Sequence, residues 1–396
     1  MYGDDTMANK TNVTKNGKKY YRVYLDLGRD STGKRIRKEF YGKSKKDAED
    51  KKTEYINGLK RGLSVDAENV SLGKLMHLWL FEVVRVSSDI KASSFERYET
   101  LYRLYIKDSD IYGLRIADIK SINIQKYYNK LYQNGKHSSL IFNINKLLRT
   151  FFNYAVDEGY AIKNPCSGKR VTIPGQKENN AVKKEVEVFS DDELKTFKTA
   201  IEGHRLKPLF CLALASGLRE GELLALKWSD IDLDKKIVSV RRTIKNIAII
   251  QADGTKKRET ILQIPKSKGS VRDVPIPENL IPMLKKHRLQ QKEEKLKAGD
   301  AYSNSDFVFT TRLGLSINAR NLLRAYKRVL TKANIPYRKF HALRHTYGTK
   351  LFERGVPLET IQKLLGHANI QTTASIYVHV SPEEKRKAVD TLNDLF

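Results

Sequence analysis

From about residue 161 to residue 188 the apolar periodicity found elsewhere in this chain stops. Asn164-Pro165 and Pro174-Gly175 are turn signals, and the polar run Gln176–Glu185 follows them. A chain of 396 residues interrupted in this way does not fill one core and divides into domains. Residues 163–188 are therefore expected to be an interdomain linker, with separate folding units on either side.

Three periodic regions flank this break. Residues 8–62 form a short basic unit in which seventeen Lys and Arg face seven Asp and Glu. Asn16-Gly17 is a hairpin signal before the aromatic and β-branched stretch Lys19–Leu27, and Lys34–Tyr41 reads as a second strand. Ser44 is placed to cap a helix reaching about Leu59, with Ala48, Tyr55 and Leu59 inward. The expectation is a small three-stranded sheet backed by one helix. Its basic and aromatic face could enter a DNA groove, or could be an ordinary solvated surface.

Residues 70–162 read as a helical domain. Leu72, Leu75, Met76, Trp79, Leu80 and Val83 recur at helical spacing after Ser71. Phe95, Tyr98, Leu101, Tyr102 and Tyr105 mark a second helix, and Ile122, Tyr127, Tyr128 and Leu131 a third. A fourth carries Leu140, Ile144, Leu147, Leu148, Phe151, Phe152 and Ala155, ended by Gly159. Lys91, Arg97, Arg103 and Lys136 are candidate DNA contacts between these stripes. Residues 189–396 open on the capping box Ser190-Asp-Asp-Glu193. They read as mainly helical with a small inserted antiparallel sheet, so the whole chain is multidomain α+β.

Charge narrows the function. Lys and Arg outnumber Asp and Glu by 74 to 46, leaving +28, a field that attracts polyanions. Two cysteines, Cys166 and Cys211, exclude a disulfide framework or a four-cysteine zinc site. No apolar run is long enough to span a membrane, and Met1–Met7 lacks a signal-peptide core. A cytoplasmic, nucleoid-associated protein is expected, one that needs no cofactor. No phosphate-binding glycine loop, dinucleotide fingerprint or HExxH sequence is present.

Three stretches carry the chemistry. They are Ala215-Ser-Gly-Leu-Arg-Glu-Gly-Glu-Leu223, then His341-Ala-Leu-Arg-His-Thr-Tyr347, then Leu364-Leu-Gly-His367 with Tyr377 ten residues later. His341, Arg344 and His345 fall on one helix face. This ordered set resembles the tyrosine recombinase (phage integrase) family over about residues 205–380. The order of domains is similar to that of integrases of conjugative transposons and temperate phages. The resemblance implies an arm-site-binding domain at 8–62, a SAM-like core-binding domain at 70–162 and a catalytic domain at 189–396.

It also implies a mechanism. Arg219 and Arg344 would hold the non-bridging phosphate oxygens, where negative charge builds during attack. Tyr377 would be the nucleophile, leaving a 3′-phosphotyrosyl link that stores the bond for rejoining. His341 suits general acid–base work, and His367 would donate to the phosphate. The family's lysine sits in a β-hairpin turn, and Gln263–Ile276 reads as that hairpin. Lys268, beside Gly269-Ser270, is favoured there over Lys266. Glu222 would fix Arg219 by an ion pair.

Neither ATP nor metal would be needed. A tetramer on two duplexes, a Holliday junction, DNA integration and excision, and help from an excision factor or host DNA-bending protein are further expectations. So is a role in transposition or viral genome integration. Ser381-Pro-Glu-Glu384 caps a tail helix with Ala388, Val389, Leu392, Leu395 and Phe396 on one face, for docking on its own core or on a neighbouring protomer. Three other readings stay open. Pro357–Leu365 and Ile370–Tyr377 could be a helix-turn-helix regulator. His341, His345, His367 and His379 could serve a metal nuclease, though without the usual carboxylate partner. A relaxing topoisomerase would use the same catalytic set.

Overall fold

The computed structural model describes residues 13–15, 18–29, 35–60, 70–175, 186–264, 268–377 and 390. Contacts group the chain into two compact units, 1–183 and 184–396, with the division inside the expected linker span. No described helix is long and apolar enough to cross a membrane.

The first unit opens with a three-stranded antiparallel sheet, β1 (Val13–Lys15), β2 (Lys18–Arg29) and β3 (Arg35–Gly42), in that order. The expected turn residues Asn16 and Gly17 lie outside the described residues. Pairing of Arg22 with Tyr41 and of Tyr24 with Glu39 brings four polar or aromatic side chains to one face. On that face Arg22 bridges to Glu39 at 3.0 Å, and Arg37 lies over the Tyr24 ring. The other face packs on α1 (Lys45–Lys60), where Phe40, Ala48 and Tyr55 are buried. Ser44 Oγ accepts from the Asp47 amide, as its place before the helix predicts. The Leu59 side chain lies outside the described residues.

Helices α2 (Leu72–Leu78), α3 (Ala92–Leu101), α4 (Ser121–Gln133) and α5 (Ser138–Asp157) build the rest of this unit. Three predicted core positions are displaced. Helix α2 continues as a π-turn over Trp79–Val84, closed by Arg85 N–H donating to Leu80 O. The extra residue per turn rotates the stripe by one position, so Val84 is buried and Val83 is exposed. The same happens after α3, where a π-turn over Tyr102–Ile106 buries Ile106 rather than Tyr105. In α4 the inward stripe begins at Ile124, and Ile122 is exposed. Of the proposed DNA contacts, Arg103 pairs with Glu99 and Arg97 with Asn143.

Within the expected linker, residues 163–175 are held against α4 and α5. Ser121 Oγ donates to Pro165 O at 2.8 Å, Gln125 exchanges hydrogen bonds with Thr172, and Ser138 Oγ donates to Pro174 O at 2.7 Å. The periodicity test missed this because polar side chains reach the segment's backbone groups without an apolar stripe. Residues 176–185 lie outside the described residues.

The second unit begins with α6 (Asp191–Ala200), whose capping box joins Ser190 and Glu193 reciprocally. α7 (Lys207–Ser216) and α8 (Glu220–Leu224) follow. Five strands come next: β4 (Ile231–Asp232), β5 (Ile237–Val240), β6 (Thr243–Ile250), β7 (Lys256–Gln263) and β8 (Arg272–Pro275). The last helices are α9 (Ile281–Ala298), α10 (Ala319–Lys332), α11 (His341–Phe352), α12 (Leu358–Leu365) and α13 (Ile370–Tyr377). One apolar core joins α6, α7, β5, β8, α10 and the start of α11, with Phe197, Phe210, Tyr326 and Phe340 in edge contact at its centre. The tail helix expected over 381–396 falls outside the described residues, Asp390 excepted.

The strands correct one expectation. β7 pairs with β6, whereas β8 pairs with β5 in the sheet β4-β5-β8. Among the described residues β7 and β8 do not pair with each other: β7 ends at Gln263 in the sheet with β6, and β8 begins at Arg272 in the sheet with β5. Val274 pairs with Val238, and these two with Val240 bury one apolar face shared by β5 and β8. That non-local pairing outweighs the local turn signal at Gly269-Ser270.

Candidate active site

Four segments of the second unit converge at the C-terminal end of α7. That helix ends on Gly217 in the left-handed region, φ 59°. A Cβ there would lie 2.4 Å from the Tyr347 ring, so glycine is needed for both backbone shape and space. The Gly217 carbonyl accepts from Arg344 Nη1 at 2.7 Å. Arg344, one turn into α11, is 2% exposed, and its Nη2 donates to Leu365 O at 2.5 Å.

Arg219 is the residue before α8. Its Nη1 meets Glu222 Oε1 at 2.8 Å, and its own amide donates to Glu222 Oε2 at 2.9 Å. Its Nη2 donates to Gly366 O at 3.2 Å. Gly366 ends α12 at φ 64°, and a Cβ there would meet Gly269 O at 2.7 Å. That close approach sets the 268–270 turn beside the Leu-Gly-His stretch. Lys268 begins this turn; its side chain lies outside the described residues, as does all of Lys266.

Both histidine positions face the cations. The His341 and His345 rings meet edge to face at 4.6 Å. His341 keeps an open edge, yet loss of water around the ring lowers its pKa to about 4. His345, Arg344 and Arg219 push the same way, and Glu222 opposes them only in part. His367 is also lowered to about 4, by burial first and then by Arg344 and Arg219. Its Nδ1 lies 3.0 Å from Oγ1 of the buried Thr373 on α13. Tyr377 is the last residue of α13, and its side chain lies outside the described residues.

The structure thus brings Arg219, His341, Arg344 and His367 together and sets the backbone of Lys268 beside them. Sequence reading missed three features. Arg272 is a third guanidinium, 8% exposed, whose Nη2 reaches Glu222 Oε2 at 3.1 Å. Burial raises the Glu222 pKa, but Arg272 and Arg219 outweigh it and hold the carboxylate below its usual range. Thr373 was not singled out either. Arg320, Arg324, Lys327 and Arg328 form an exposed stripe along α10, which carries no acidic residue. Its i, i+4, i+7, i+8 spacing was legible but was not sought. With one buried carboxylate among three guanidiniums, the cluster keeps an excess of positive charge. It can bind an anion with fixed donors and hold neutral imidazoles beside it.

Residues 187–384 match the phage integrase family, and residues 71–132 match the phage integrase N-terminal SAM-like domain. A tyrosine recombinase XerC-like protein of Caldanaerobacter subterraneus subsp. tengcongensis is 61% identical, over 98% of this chain and 100% of the relative. The ICEBs1 integrase of Bacillus subtilis is 26% identical, over 95% of this chain and 97% of that one. Among solved structures, the Tn1549 transposon integrase with a circular intermediate DNA superposes with a TM-score of 0.64 at 19% identity. It covers 81% of this chain and 99% of that one. A lambda integrase dimer on a COC' core site gives 0.52 at 18% identity, over 89% and 91%.

Proposed function

Because the chain belongs to the phage integrase family, we propose that it is a tyrosine recombinase that integrates and excises a mobile DNA element. The observation that carries this reading is the convergence of Arg219, His341, Arg344 and His367 in one cationic cluster. The solved neighbours were captured with DNA, one a transposon integrase with a circular intermediate. That supports DNA as the partner and a mobile element as the setting.

In this mechanism a DNA phosphate enters the cluster, and Arg219 and Arg344 donate to its non-bridging oxygens. The Tyr377 hydroxyl attacks phosphorus, the bond to the 5′ oxygen breaks, and a 3′-phosphotyrosyl link forms. His341, neutral in the DNA-free site, takes the phenol proton. With His367 Nδ1 accepting from Thr373 Oγ1, 3.0 Å away, the Nε2–H would be left to bind the phosphate. Lys268 protonates the leaving 5′ oxygen. Attack by that hydroxyl of another strand reverses the step, so no ATP or metal enters the balance. Two exchanges through a Holliday junction, in a tetramer, complete recombination.

The sheet of residues 8–62 binds arm sites, the helices of 70–162 bind the core site, and 189–396 cuts. The α10 stripe supplies phosphate contacts for the cutting unit. Binding two classes of site is a bivalent task, which fits a recombinase better than a topoisomerase.

The test is strand exchange between two DNAs carrying the element's attachment sites, in EDTA and without nucleotide. Recombinant joints are expected. Tight binding with no joints would favour a regulator, and relaxation of supercoils without joints would favour a topoisomerase.

A further inference from the structure

We propose that Arg272 is a positioning residue for strand cleavage: it ties the turn that begins at Lys268 to Arg219, through Glu222, and to the end of α12 that carries His367. This rests on the recombinase reading above.

Arg272 sits on the core face of β8, opposite Val240, at a register position where an apolar side chain would pack without burying charge. Its guanidinium instead reaches three segments. Nη2 and Nη1 donate to Glu222 Oε2 and Oε1 at 3.1 and 3.4 Å. Nε donates to Leu364 O at 2.7 Å, and Nη1 also donates to Ser270 O at 3.1 Å. Buried ion pairs are often no more stabilising than apolar residues of the same size. Stability alone therefore gives little reason for this arginine, whereas its partners are the supports of the site. Glu222 is the residue that holds Arg219. Leu364 precedes Leu365, whose carbonyl holds Arg344. Ser270 closes the turn that starts at Lys268.

A second observation agrees. A Cβ on Gly366 would lie 3.0 Å from Arg272 Cδ and 3.2 Å from its Nη1. The side chain that Gly366 lacks is the space that Arg272 fills.

Glu222 is faced by Arg219 from its own element, by Arg272 from β8 and by His341 from α11. Removing Arg272 takes away the strongest cation holding the carboxylate ionised. Cleavage should then fail at a higher pH than in the unmodified protein.

The experiment compares Arg272→Met and Arg272→Lys with the unmodified full chain on attachment-site DNA. Single-turnover formation of the covalent complex is measured from pH 5 to 9, alongside DNA affinity and melting. Arg272→Met should bind DNA normally, cleave about a hundredfold more slowly, as expected for catalytic groups displaced by about 1 Å, and move the acid limb of the profile upward. Arg272→Lys should restore that limb and part of the rate, and it keeps the test alive should the methionine variant fail to fold. Cleavage near the unmodified rate would overturn the proposal. So would a rate loss that tracks loss of folded protein with an unmoved pH profile. An unmodified protein that does not cleave would instead overturn the recombinase reading.

Discussion

Two glycines in the left-handed region separate backbone strain from close approach. Gly355, φ 77°, has nothing within 4 Å of where a Cβ would stand. Gly366, φ 64°, would place its Cβ 2.7 Å from Gly269 O and 3.0 Å from Arg272 Cδ. Gly355→Ala should therefore cost only the left-handed conformation, about 1–2 kcal/mol. For a unit the size of 184–396 that lowers the melting temperature by roughly 2–8 °C. Gly366→Ala adds the cost of overpacking, about 1–3 kcal/mol, for a total of about 2–5 kcal/mol and a shift of roughly 4–20 °C. Its carbonyl also anchors Arg219, so covalent capture of DNA should slow in Gly366→Ala and stay unchanged in Gly355→Ala. Thermal melting and a single-turnover cleavage assay on both variants measure this. Equal losses of stability, or full cleavage by Gly366→Ala, would refute the reasoning.

Other consequences follow from charge. His341 and His367 should be neutral at pH 7 in the DNA-free protein, titrate near pH 4, and rise when a phosphate enters. Their native values lie below the unfolded value of 6.5, so below that pH the unfolded chain binds protons that the folded chain refuses. Stability should fall as pH drops from 6.5 toward 4; native values at or above 6.5 by NMR titration would contradict this. Replacing Arg324 and Arg328 with Ala should lower the salt dependence of DNA affinity by about 0.9 per lost phosphate contact, and an unchanged slope would remove α10 from the interface. Lys268→Ala should slow release of a 5′ oxygen but not of a 5′ sulfur, which leaves without a proton. The same pattern in Lys266→Ala instead would move the assignment there.

How much of this was legible depended on the range of the forces involved. Caps at Ser44, Ser71 and Ser190 were readable because a side chain closes on an amide three residues away. The Gly-Leu-Arg, His-x-x-Arg and Leu-Gly-His stretches were readable because chemistry restricts their residue types. Val83 and Tyr105 were misplaced because a π-turn shifts helical phase without a marker in the sequence. The 263–276 hairpin failed because β8 chose β5, a partner more than thirty residues away. Arg272 went unnoticed because an inward arginine breaks the alternation used to find strands, and only folding shows the carboxylate and carbonyl that receive it.

The central claim is that Tyr377 becomes covalently joined to DNA. Nicked attachment-site DNA, incubated with the protein in EDTA and resolved on a denaturing gel, tests it most directly. A shifted protein–DNA band is expected from the unmodified protein and is absent from Tyr377→Phe, although that variant still binds. A band that persists in Tyr377→Phe, or no band from unmodified protein on DNA it occupies tightly, would exclude Tyr377 as the nucleophile.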